Sequence, residues 1–384
     1  MAAVPDQVWD PLRIYFKTTT MPDSQLRHCF SDHYEQARKK FIAAALNAGS
    51  RMEHHALPSH SGSKDETLST DTALLGEADF PSLVVITSGV HGVEGFCGSG
   101  CQVAMLHDHD LLQRARDLRI ALLFIHAVNP HGFSHIRRAN EHNVDINRNF
   151  LDFADHRPSN PRYADVHDLL LPAQWPPTPQ NRLAIERYVA QHGQRAFRRA
   201  ATAGQSEFPD GMFYAGAEPS WSNKTLRQLI RTHGSCKKKI AWIDLHTGLG
   251  PYGHGEKIHA GLHTQENLSL TRSCWGPDVV AAWDGQSASE QVRGPAVGCA
   301  FEECPDAEIA GIALEFGTVP YDVFLDAVRG DHWLNIHTNT EPELREKIRR
   351  DTLNAFYIDH DEWRGMVTAQ SRLAVLQACM ALGR

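Results

Sequence analysis

Four stretches of this sequence carry residues able to do chemistry together. His91 and Glu94 stand three apart in TSGVHGVEG, and His246 follows 152 residues after Glu94 in WIDLHTGLG. Two imidazoles and a carboxylate fill three positions of a tetrahedral zinc site and leave the fourth for water, the arrangement of a catalytic rather than a structural ion. A chain with 23 His contains such pairs by chance, and a hydrogen-bonded His at a strand end would explain His91 alone. What sets His91 and His246 apart is that both directly follow apolar runs. The third stretch is RRANEHNVDINRNF, residues 137–150. An Arg pair such as Arg137 and Arg138 ordinarily lies on a solvated surface. Arg148, set among Asn and Asp, offers a planar fork that matches a carboxylate with two hydrogen bonds, so the segment reads as a carboxylate clamp. In the fourth stretch, Glu315 lies inside the apolar run IALEF. A buried carboxylate is costly unless paired or functional, and desolvation raises its pKa toward the range of a general base. A buried ion pair is the competing explanation.

These residues need elements to hold them. Residues 83–87 (LVVIT), 120–125 (IALLFI), 240–245 (IAWIDL) and 312–316 (IALEF) are short continuous apolar runs, which suits strands covered on both faces. Helical patterns at 98–107, 181–203, 223–233 and 343–357 supply the cover. The expectation is an α/β fold with a mixed, largely parallel central sheet and helices on both faces, its ligand site at the carboxyl ends of the strands. Six prolines between residues 152 and 180 predict a loop-rich insertion over the site. The Ser-, Thr- and Gly-rich residues 59–71 predict a surface loop. Because the candidate residues fall on both sides of 152–180 and must meet, residues 1–384 read as a single catalytic domain.

Composition narrows the function further. The net charge is −8, with 38 Lys and Arg against 46 Asp and Glu, which argues against nucleic acid as a partner. No apolar run approaches the ~20 residues that span a bilayer. Residues 1–20 lack a basic segment followed by an apolar stretch, so no secretory signal is expected and the expected location is cytoplasmic. Eight irregularly spaced Cys read as reduced thiols, with Cys97 and Cys101 on one face of a helix. GLGPYG at 248–253 fits a dinucleotide-loop pattern, but Pro251 and the Gly-rich continuation do not open a helix. His107-Asp-His-Asp110 reads as a solvated helix end.

Taken in order, His91-x-x-Glu94, the N-P-x-G turn at 129–132, D-x-N-R-N-F at 145–150, the distant His246 and Glu315 resemble the zinc carboxypeptidase family, the carboxypeptidase A-like metallopeptidases. The wording around 138–150, GMFYAGAEPSWSN at 211–223 and DLHTGLGPYG at 244–253 is most similar to a bacterial, carboxypeptidase-like branch of uncharacterised function. The resemblance implies one zinc held by His91, Glu94 and His246, with Glu315 as general base and proton shuttle. It implies Arg138 as the group that polarises the scissile carbonyl, with Arg137 as a rival, and Asn147 with Arg148 as anchors for a substrate carboxylate. Asp145 would orient His91. The family's mobile active-site Tyr has no matching motif; Tyr252 and Tyr321 read as packing or rim residues. The implied function is zinc-dependent hydrolysis of amide bonds beside a free carboxylate, in a peptide or an N-acyl amino acid. The alternatives are an N-acyl amino acid deacylase of the aspartoacylase and succinylglutamate desuccinylase type, or a non-catalytic zinc- or peptide-binding protein on the same fold. Oligomeric state is not readable from these patterns.

Overall fold

The computed structural model describes residues 26–154 and 159–383; the leader-peptide reading of residues 1–20 and Pro158 lie outside them. Seven strands form one sheet: β1 (Arg51–Ser61), β2 (Thr67–Leu75), β3 (Ser82–Thr87), β4 (Ile120–His126), β5 (Lys239–Tyr252), β6 (Gly255–His259) and β7 (Glu308–Gly317). Their spatial order is β1-β2-β4-β3-β5-β7-β6. The four apolar runs are the four adjacent parallel strands β4, β3, β5 and β7, and antiparallel pairings add β2 and β1 at one edge and β6 at the other.

The sheet is a mixed one with a parallel centre because its middle strands are apolar on both faces. Val84, Ile86, Leu122, Phe124 and Ile243 point to a core shared with the helices Tyr34–Asn47, Gly95–Leu106 and Asp361–Leu382. Leu83, Val85, Leu123, Ile125 and Trp242 point the other way, onto the helices Trp221–Gly234 and Cys299–Glu303. Each fully buried side chain of this kind contributes roughly 1.5–3 kcal/mol. Cys97 and Cys101 are buried in the first core, one turn apart on Gly95–Leu106. Among the described residues no helix is long and apolar enough to cross a membrane.

Three expectations need correction. Residues 59–71 are not a surface loop: β1 runs to Ser61, β2 begins at Thr67, and only the turn between them is irregular. The polar composition misled because these hydroxyls are spent inside the protein, as where Thr70 Oγ1 donates to the Ala127 carbonyl and Ser69 Oγ to Asp71. Residues 152–180 contain the helix Pro161–Leu170 with a proline at its first turn, where the missing N–H costs nothing. The pattern at 181–203 is two helices, Pro179–His192 and Gln194–Thr202, separated by Gly193 at φ 87°. GLGPYG continues β5 as a strand rather than opening a helix.

Gly92 fixes how the chain leaves β3. His91 directly precedes the short turn Gly92–Glu94, whose amides at 92 and 93 donate to the carbonyls of Arg138 and Arg137. A Cβ at Gly92 would lie 2.1 Å from the Gly132 carbonyl carbon, a backbone atom that cannot step aside. Gly92→Ala is therefore expected to cost about 1–3 kcal/mol of stability, read from the midpoint of denaturant unfolding. An unchanged midpoint would show that this crossing of two backbones is not rigid.

Candidate metal centre and its cavity

His91, Glu94 and His246 come together at the carboxyl ends of β3 and β5. One ligand atom from each lies within 4.8 Å of the others, and this is the single such group of His, Cys, Asp or Glu among the described residues. Glu94 is central: Oε1 is 2.8 Å from His91 Nδ1 and Oε2 is 2.8 Å from His246 Nδ1. The outer nitrogens face carboxylates, His91 Nε2 at 3.1 Å from Asp145 Oδ1 and His246 Nε2 at 2.6 Å from Asp244 Oδ2. Asp244 behind His246 favours the tautomer that leaves Nδ1 free to coordinate, Asp145 lies behind His91 in the same way, and two imidazoles with a carboxylate are a donor set that fits a divalent cation. Burial alone would raise the Glu94 pKa, yet His91 and His246 hold it well below the carboxylate range. Burial opposes the charged form of His246, but Asp244 and Glu94 raise its pKa well above the ordinary value.

Asp244 carries no expectation above, although β5 alternation puts it on the same face as His246 two residues on. It is itself held: Thr87 Oγ1 donates to Asp244 Oδ1 at 2.7 Å, and Trp242 Nε1 donates to Thr87 Oγ1 at 2.9 Å. Thr87 pairs with Asp244 across β3 and β5, and His246 pairs with Glu315 across β5 and β7, so strand register sets these contacts.

Glu315 Oε1 accepts the Leu249 amide at 2.9 Å, and Oε2 has no such partner among the described residues. Burial first, then repulsion from Glu94, raises its pKa to about 7. The Arg pair is buried and divided. Arg137 is used up by Asp331, Asn335 and Asn143, away from the cavity. Arg138 reaches in, donating to Asp145 Oδ2 at 3.1 Å and Glu94 Oε1 at 3.3 Å, with Nη2 2.8 Å from His91 Nε2. Asp331 also accepts the Arg138 amide at 3.1 Å, and Arg137 and Arg349 hold its pKa down at about 2 against burial.

Arg148 gives two of its five N–H donors to backbone carbonyls, those of Asn147 and Thr202, and its Nε has no partner among the described residues. Asn147 Oδ1 accepts the Ala296 amide, which pins this side chain to the far wall. Seven of the eight expected site residues, His91, Glu94, Arg138, Asn147, Arg148, His246 and Glu315, line one cavity of about 110 Å³; Asp145 stands directly behind it. Phe213, His259, His263, Trp283 and Glu290 are among the other residues of the wall and were not foreseen. None of the described residues between 152 and 180, nor Tyr252 or Tyr321, lines the cavity. Tyr252 is exposed at the end of β5, and Tyr321 packs on Phe324 and under Arg198. Phe213 is buried with φ at 53°, a left-handed conformation costing roughly 1–2 kcal/mol for a residue with a Cβ.

The fold and site thus define an α/β protein with a buried His-Glu-His group at the carboxyl ends of the parallel strands of a mixed sheet. Residues 30–370 match the family described as protein of unknown function (DUF2817), and the chain belongs to that family. Among curated proteins no sequence match was found. Solved structures similar to this chain include carboxypeptidase A from Helicoverpa armigera, at 15% identity and TM-score 0.41, covering 89% of this chain and 73% of that one. A metallo-carboxypeptidase from Pseudomonas aeruginosa shares 14% identity at TM-score 0.43, with coverage of 90% and 69%. A Shewanella amazonensis protein described within the succinylglutamate desuccinylase and aspartoacylase family shares 16% identity at TM-score 0.35, with coverage of 74% and 72%. Likeness of this degree bears on neither substrate nor chemistry.

Proposed function

We propose that this protein is a zinc-dependent hydrolase of amide bonds acting next to a free carboxylate, in the manner of a metallocarboxypeptidase, with the whole chain as one catalytic domain. The observation that carries the reading is the raised, buried carboxyl of Glu315 in one cavity with the His-Glu-His group and two arginines. A zinc ion held by His91, Glu94 and His246 would supply a Lewis acid and lower the pKa of water toward ~7. Glu315 accepts the proton of the attacking water at Oε2, the oxygen not tied to Leu249, and returns it to the departing amine. Arg138 directs N–H donors at the carbonyl oxygen as negative charge builds there, and a water-poor cleft strengthens that interaction. Asn147 and the unspent donors of Arg148 hold the substrate carboxylate. A non-catalytic binding protein would have no use for a protonatable carboxyl beside an open metal position. The small cavity also suits an N-acyl amino acid, so the deacylase reading is carried as the second one.

The test is a screen of peptides with free C-termini and of N-acyl amino acids, with and without chelator. Chelator-sensitive release of a C-terminal residue supports the first reading and release of an acyl group the second; no hydrolysis of either class sinks both. The ligand set makes its own prediction. Purified protein should hold about one zinc per chain, and His91→Ala or His246→Ala should lose it, by metal analysis. Asp244→Asn is expected to keep the ion but weaken its binding about 10- to 100-fold in chelator competition. Full zinc content in both alanine variants would put the metal elsewhere.

A further inference from the structure

Phe213 combines three features that packing alone does not explain. Its ring centroid lies 4.9 Å from the guanidinium carbon of Arg138 and 5.5 Å from that of Arg148. It lines the cavity that both arginines enter. Its backbone is left-handed, a conformation that persists in a bulky residue only where the surroundings over-determine it.

Those surroundings are visible. The buried Gln205 donates from Nε2 to the carbonyls of Phe208 and Met212, and its amide donates to the Phe213 carbonyl. The Met212 amide donates to Tyr163 Oη, and the Tyr214 carbonyl accepts the Asp145 amide. The loop is thus tied on one side to the helix Pro161–Leu170 and on the other to Asp145, the carboxylate that both arginines face at 3.1 and 3.9 Å. Asp145 is shared by two like charges, with Glu94 also reaching Arg138 at 3.3 Å, and the negative face of the ring adds an attraction for both guanidinium groups.

We propose that Phe213 is a positioning residue that holds Arg138 and Arg148 at a fixed spacing, so that one substrate presents its scissile carbonyl to the first and its carboxylate to the second. The inference rests on the proposed carboxylate-directed reading of this site. It assigns the left-handed turn a purpose: the conformation brings the ring to both guanidinium groups, where a relaxed backbone at 213 would carry it elsewhere.

The experiment separates the ring's electrostatics from its bulk. In the Glu315→Gln background, loaded with zinc, Phe213 is replaced by 3,4,5-trifluorophenylalanine, which keeps the size and weakens the quadrupole, and separately by Leu. Binding of N-acetylphenylalanine and of its amide is measured by calorimetry, with melting temperature and zinc content alongside. The trifluoro variant is expected to bind the acid about 3- to 10-fold more weakly and the amide with a smaller loss, with zinc and melting temperature as in the parent. Phe213→Leu should show a larger loss in the same direction. Equal affinity of the parent and trifluoro proteins for the acid overturns the proposal, as does an equal loss for acid and amide, which marks simple packing. Failure of the wild-type enzyme to hydrolyse any substrate would overturn the hydrolase reading while the binding comparison still judges Phe213. No acid binding by the parent would remove the carboxylate clamp and the inference with it.

Discussion

Glu315→Gln should lower turnover by a factor on the order of 10² or more while the protein keeps its metal. Gln retains the size of Glu and can still accept the Leu249 amide, so the cavity keeps its shape; what it lacks is an oxygen able to take a proton. The pH profile sharpens the test. Only the carboxylate form is a base, so kcat/KM must fall as pH drops through the Glu315 pKa. Burial and Glu94 raise that pKa from 4.5 to about 7 without a metal, and a dication nearby draws it back down. The acid limb of kcat/KM is therefore expected between 4.5 and about 7, and should be missing in the Gln variant. Loss of zinc from the variant would make Glu315 a ligand or a structural group instead, and near-full activity would remove it from the mechanism.

The second large effect concerns substrate orientation. Arg148→Met removes the fork while keeping much of the apolar stem, and losing a charge-assisted contact in a buried pocket costs about 1.5–3 kcal/mol, roughly 10- to 100-fold in kcat/KM. Amidating the substrate carboxylate removes the same contact from the other side. The two changes should therefore be non-additive: the amidated substrate is poor for the wild type, and Arg148→Met makes it little worse. Four rate measurements decide it. Additive losses would mean that Arg148 serves the backbone carbonyls of Asn147 and Thr202 and nothing else. Equal wild-type rates on acid and amide would point to an endopeptidase or another amidohydrolase.

How much of this was legible in the sequence depended on whether a local pattern or a distant partner decided the outcome. The parallel strands were legible because burial on both faces demands continuous apolar runs, and the His and Glu residues at their ends were legible with them. β1 and β2 were not, because hydroxyls satisfied inside the protein look like loop residues in a sequence. Asp244 could have been found, since strand alternation alone places it beside His246. Arg137 and Arg138 could not be told apart, because the group that divides them, Asp331, is 193 residues away from Arg138. Phe213 was hidden for the same reason: its conformation comes from Gln205, Tyr163 and Asp145, and no local motif announces a left-handed Phe.

The register of the three central strands has a practical meaning for anyone preparing this protein. Thr87 faces Asp244 and His246 faces Glu315 only in one alignment of β3, β5 and β7. A slip of one residue in β5 would turn Asp244 and His246 to the opposite face and bring Leu245 to the cavity, so no half-correct sheet has a partly working centre. With zinc held as proposed, metal uptake is then expected to be an all-or-none assay of correctly threaded molecules. After refolding, the zinc bound per chain should count the native fraction directly, including in samples where circular dichroism already reports full secondary structure.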